Sequence, residues 1–208
     1  MITLYITRHG ETEWNSEGRL QGSLNSNLTA NGIKNAQSLG ERLQELEFVA
    51  VYASPSGRTK QTAQVILEDR EIPIIYDNNL KEINMGEWEG ETLIDVEGLY
   101  PEQFHAFWNL PHEYTPVGGE TFEDAWNRAL QILGRIKEEQ KNGNVLIVTH
   151  GVLIKCLISI FKNALIEDLW SPPFIHDTSL TVVNMTEADY EILLEGDISH
   201  KGTAGEKS

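Results

Sequence analysis

Two histidines stand in matching settings far apart in the chain: His9 in Arg8-His9-Gly10, and His150 in Val148-Thr149-His150-Gly151. Each follows an apolar, β-rich run and precedes a glycine, where the backbone can approach a ligand closely. A neutral imidazole in that position is a nucleophile or a base. Arg8 adjoins His9, and Arg58 follows the turn Ser54-Pro55-Ser56-Gly57. Both carry planar forks suited to bidentate contact with an oxyanion, which lysine would make less well. A transferring phosphoryl group spreads negative charge through a loose transition state and needs cations and aligned donors around it. Such a residue set would suit phosphoryl chemistry, although taken singly His9 could equally be a structural strand-end histidine and Arg58 a surface helix residue. Asn15 and the Gly10 and Gly151 backbones are expected to offer neutral donors, and His150, if protonated, a third positive group. The same positive surroundings would keep His9 unprotonated.

The elements that must position these residues follow from periodicity. Residues 2–7 read as a strand, followed by a polar loop through Asn27. Thr29 is a plausible N-cap for a helix bearing Ile33, Ala36, Leu39 and Leu43. Residues 48–53 form a second strand, 58–68 a helix, and 72–76 a third strand whose Pro73 argues for an edge. Residues 78–120 are Gly-, Pro- and aromatic-rich and weakly periodic, as expected of an inserted cap with one or two short helices. Thr121 with Asp124 opens a long helix, which Asn142-Gly143-Asn144 ends. Residues 145–149 suit a central parallel strand, with an apolar helix at 152–162 and a closing strand pair at 179–185 and 190–195. The alternation predicts an α/β three-layer sandwich: a mostly parallel central sheet, helices on both faces and a small cap. Ligands bind beyond the carboxyl ends of such strands, where His9 and His150 stand. One domain is expected over residues 1–200, with a frayed tail at 201–208.

Composition narrows the partners. Sixteen basic against thirty-two acidic residues give a net charge of −16, which repels nucleic acid and anionic membranes alike. No spanning or leader segment is evident, so a cytoplasmic location is expected. Cys156 is the single cysteine and lies in an apolar run, as a buried thiol would. His105, His112, His176 and His200 are simplest as loop or cap residues, and no His-x-x-x-His pair suggests zinc.

Four segments in order, Arg8 to Asn15, Tyr52 to Ala63, Leu80 to Ile83 with Gly86 to Gly90, and Val148 to Gly151, resemble the histidine phosphatase superfamily, also called phosphoglycerate mutase-like. The resemblance implies catalysis by His9, Arg8, Arg58 and His150, with covalent phosphorylation of His9. It implies that Glu82 is the acid that protonates the leaving oxygen and then the base that activates water, favouring mildly acidic to neutral pH. Asn15, Gln21, Gly22 and Gly151 are the implied phosphate contacts. No cofactor and no metal are expected, since arginines supply the positive charge. The expected partner is a small phosphomonoester. Residues 107–114, 169–174 and 195–200 are similar to a bacterial broad-specificity phosphatase branch. Between Lys81 and Arg128 there is no lysine or arginine, while Phe107 and Trp108 offer aromatic contacts. Such a cap suits neutral or hydrophobic leaving groups. A mutase, a phosphatase dedicated to α-ribazole phosphate or a sugar phosphate, and a non-catalytic phospho-binding regulator are the alternatives.

Overall fold

The computed structural model describes residues 1–202; the part of the expected tail at 203–208 lies outside the described residues. Six strands, β1 (Ile2–Arg8), β2 (Phe48–Ala53), β3 (Ile74–Tyr76), β4 (Gly143–Thr149), β5 (Leu180–Met185) and β6 (Tyr190–Asp197), form one sheet in the order β3-β2-β4-β1-β5-β6. The first four in that order are parallel, and β5 and β6 continue the sheet antiparallel. Register brings the two histidines together: β1 and β4 are neighbours with Arg8 opposite Thr149, so His9 and His150 leave the sheet side by side.

The helices are α1 (Glu13–Ser16), α2 (Ala30–Arg42), α3 (Gly57–Leu67), α4 (Leu93–Leu99), α5 (Pro101–Asn109), α6 (Phe122–Glu139) and α7 (Gly151–Lys162). Helices α2 and α3 bury Ala36, Leu39, Ala63 and Ile66 against Val51, Leu146 and Val148 on one face of the sheet. Helices α6 and α7 bury Ala129, Ile132, Leu153 and Leu157 against Leu4, Tyr52 and Ile147 on the other. The period-2 strand pattern divides its apolar side chains between these two cores. Among the described residues, no helix is long and apolar enough to cross a membrane.

The caps follow the sequence closely. Thr29 accepts from Gly32 N at the start of α2, and Thr121 with Asp124 closes a reciprocal capping box on α6. Helix α6 ends at Glu139, however, and Gly143 opens β4 with φ +104° instead of terminating the helix. The loop after His9 holds the single turn α1, whose box is closed by Thr12 and Asn15. Lys201, assigned by sequence to the tail, instead pairs with Asp177 at 2.7 Å.

Candidate active site

His9 follows β1, its N–H donating to Thr149 O at 2.9 Å, and the residue is 2 % exposed. Nδ1 lies 2.8 Å from Gly10 O, and because a carbonyl only accepts, Nδ1 carries the proton. Nε2 therefore keeps its lone pair. Burial, then Arg58 and Arg8, hold His9 well below the usual histidine range, outweighing the bond to Gly10. The ring is neutral and oriented, with Nε2 free of a protein partner among the described residues.

Arg58, at the start of α3, is almost fully buried. Its guanidinium donates to Leu24 O at 2.6 Å and Gly22 O at 2.8 Å, so the polar loop aims it. Burial brings its pKa down to about 10, against the support of Glu82. Arg8 donates through Nη1 to Ile175 O at 2.9 Å. Neither arginine pairs with a carboxylate among the described residues, and each has a buried Nε with no partner. Two inward guanidinium groups with no direct carboxylate partner, and only more distant charges such as that of Glu82, are costly unless an anion joins them. Asn15 turns its Oδ1 onto Thr12 N and Oγ1, which leaves its Nδ2 donors unused by that box.

Glu82 accepts from Ile83 N at 3.0 Å through Oε1 and from Val152 N at 3.3 Å through Oε2. The second contact places the carboxyl group at the N-terminus of α7. A Cβ placed on Gly151 would lie 3.7 Å from Arg8 Nε and 3.8 Å from Glu82 Oε2. Gly151 thus keeps open the space on which both converge.

Arg8, His9, Asn15, Gln21, Gly22, Arg58, Glu82, Phe107, Trp108 and Gly151 all line one cavity of about 530 Å³. Three details depart from expectation. His150 is fully buried, is not among the cavity-lining side chains, and is held well below the usual range by burial, Arg58, His9 and Arg8. Its resting state supplies no third positive charge; its Nε2 lies 2.8 Å from Ser54 Oγ and its Nδ1 has no partner. Gly10 N donates to Thr62 Oγ1 at 2.9 Å, so it is not a free donor. Gln21 bonds Thr12 Oγ1 and Ser26 Oγ, and Gly22, at φ +50°, leaves room for Glu89 and gives its carbonyl to Arg58. These two residues build the loop that holds Arg58.

The cap's aromatic residues divide in two. Trp88, Tyr114 and Phe122 pack around Phe107 in the core, with half-buried Phe104 against half-buried Trp108, whereas Phe107 and Trp108 also reach the cavity. Trp170, Pro172, Phe174 and Ile175 complete its apolar wall, with Trp108 and Trp170 at 4.8 Å between ring centroids. The sequence marked residues 169–174 only as part of a resemblance. Nothing in their local pattern shows that the connection after α7 folds back over β1. Arg19 and Lys155 also line the cavity, although they lie outside the cap. Among the described residues there is no group of three or more His, Cys, Asp or Glu side chains arranged to hold a metal ion.

The histidine phosphatase superfamily (branch 1) model matches residues 4–198. Phosphoserine phosphatase 1 of Hydrogenobacter thermophilus is 31% identical, over 97% of this chain and 95% of its own. The structure of Bacillus stearothermophilus YhfR superposes with a TM-score of 0.93 at 42% identity, covering 97% of this chain and 100% of that one. The alpha-ribazole phosphatase of Shigella flexneri superposes with a TM-score of 0.86 at 28% identity, over 94% and 96% of the two chains. The chain belongs to the histidine phosphatase superfamily and is an enzyme of that phosphatase class.

Proposed function

We propose that this protein hydrolyses phosphomonoesters without a metal, through a phosphohistidine on His9, with broad specificity and a preference for neutral or hydrophobic leaving groups. The observation that carries the reading is a neutral imidazole with a bare Nε2 set between two guanidinium groups that have no carboxylate partner. Nε2 attacks phosphorus while the ester P–O bond breaks, and Arg8, Arg58 and Asn15 hold the phosphoryl oxygens. Glu82 gives its proton to the departing oxygen. In the second step the Glu82 carboxylate takes a proton from water, whose oxygen displaces His9 and releases phosphate. Nδ1 keeps its proton on Gly10 O throughout. His150, held neutral at rest by burial and then by Arg58, His9 and Arg8, lies against His9 at the same phosphoryl site.

The wall formed by Leu20, Met85, Phe107, Trp108, Trp170 and Phe174 supports an apolar leaving group. Of the two extra cations, only Arg19 has a carboxylate partner among the described residues. Arg19 Nε is paired with Glu17 at 2.7 Å, and Lys155 donates to Ser171 O and Pro173 O. Their presence is nevertheless the observation favouring a second reading, a phosphatase dedicated to a charged metabolite such as phosphoserine. A metal-free panel of p-nitrophenyl phosphate, alkyl phosphates, phosphoserine, α-ribazole phosphate and primed 3-phosphoglycerate separates them. The first reading expects the neutral esters to show the highest kcat/KM and mutase turnover to be trace. Phosphoserine exceeding every neutral ester supports the second reading, and mutase turnover exceeding all hydrolysis overturns both.

A further inference from the structure

Glu82 lies on neither helix nor strand: it follows a 3-10 turn at Asn78–Leu80, and the next such turn begins at Gly86. An acid that must meet one oxygen atom needs a fixed backbone, and here that backbone is gripped from outside by Arg128 of α6. Nη1 of Arg128 donates to Asn79 O at 3.1 Å and Lys81 O at 2.7 Å, and Nη2 donates to Glu82 O at 3.3 Å. The remaining N–H groups clasp Glu120, Nε to Oε1 at 3.0 Å and Nη2 to Oε2 at 2.8 Å. All five donors of the guanidinium are engaged. Glu120 carries the grip onward, since its Oε2 accepts from Asn84 N at 2.8 Å and its own N–H donates to Asn84 O at 2.8 Å. Thr149 Oγ1 takes the one carbonyl between, Leu80 O, at 2.7 Å. Leu80 and Ile83 are fully buried on either side of the acid.

We infer that Arg128, with Glu120, is the positioning residue for Glu82: it fixes the backbone of residues 79–84 so that the carboxyl meets the leaving oxygen. The inference rests on the reading of Glu82 as the proton donor. Lysine, with three donors on a point charge, cannot reproduce the five-way grip. Freeing the segment would let the carboxyl drift, and a misplacement of about 1 Å costs on the order of 100-fold in such a step.

The readout is kcat/KM, which reports the phosphoryl-transfer step, for an alkyl phosphate and for p-nitrophenyl phosphate, whose phenolate leaves without a proton. Arg128→Gln is expected to lower the alkyl rate at least roughly tenfold more than the aryl rate. Arg128→Lys should show the same bias, reduced. The Glu82→Gln/Arg128→Gln double variant should show the bias of Glu82→Gln alone, because a positioning residue has nothing left to position. If Arg128→Gln does not fold, Glu120→Gln carries the same test. Equal losses on both esters, or a double variant whose bias is the product of the singles, would overturn the positioning role while leaving Glu82 intact. Absence of bias in Glu82→Gln itself would overturn the acid and the inference with it.

Discussion

Consider replacing Arg58 by methionine, which keeps much of the buried stem and removes the charge. Gly22 O and Leu24 O each lose their guanidinium donor, at about 1–3 kcal/mol apiece where water cannot replace it. Against this, a guanidinium whose pKa falls from 12.5 to about 10 on burial costs the folded state roughly 3 kcal/mol, which the variant no longer bears. The two effects are similar in size, so the variant should fold. Catalysis should not survive so well. Losing one fixed donor to the transferring group removes ~10²–10³ in rate, and the lost positive charge takes the effect to the upper end or beyond. The distinctive mark is in pH. Arg58 is the foremost charge lowering His9, ahead of Arg8, so its removal lets His9 rise toward 6.5. On the proposed mechanism His9 reacts neutral, so the acid limb of kcat/KM is expected to move to higher pH in the variant. The assay is p-nitrophenyl phosphate hydrolysis from pH 3 to 8 for both proteins. A loss below tenfold, or an acid limb that stays or moves to lower pH, would refute the reasoning.

Other outcomes follow from the same geometry. His9 and His150 are buried neutral with pKa values well below 6.5, while an unfolded chain takes up a proton on each near that value. Their contribution to stability is therefore complete above about pH 6.5 and is lost on acidification, at roughly 1.4 kcal/mol per pH unit for each. Because the unfolded histidine is only partly protonated across this range, urea unfolding between pH 7 and 5.5 should show His9→Gln with a slope shallower by about 0.8 kcal/mol per pH unit; an unchanged slope would mean His9 is charged in the folded state. Excess EDTA should leave activity intact, because Arg8 and Arg58 supply the positive charge; loss restored by magnesium or zinc would contradict this. Trp108→Ala should lower kcat/KM for aryl esters several-fold more than for methyl phosphate, since its ring meets both Trp170 and the cavity, and equal losses would confine it to the core.

Much of this was legible in the chain because it is local. The apolar runs ending in His9 and His150 read as strands, and parallel pairing of β1 with β4 brings their ends together. Thr29, Thr121 and Asp124 announce their helices through capping chemistry. The rest depends on contacts between distant segments. Gly10 has a free-looking N–H until Thr62, on α3, is packed beneath it. The charge of His150 depends on how deeply β4 is covered, which no local pattern encodes. Counting cations within the cap missed Arg19 and Lys155, because the cavity draws its wall from the first loop, α7 and the connection after it. Arg128 stands out in the sequence only as the end of the cation-free stretch, because its five donors reach Asn79, Lys81, Glu82 and Glu120, contacts that helical periodicity does not encode.

The central claim is that phosphorus passes through a covalent bond to His9. Brief incubation with a labelled phosphomonoester, an alkaline denaturing quench and peptide mapping tests it directly. The wild-type protein should carry acid-labile label on the peptide containing His9, and folded His9→Ala should carry none and turn over no substrate. Label on any other residue, or turnover by His9→Ala, would contradict the account.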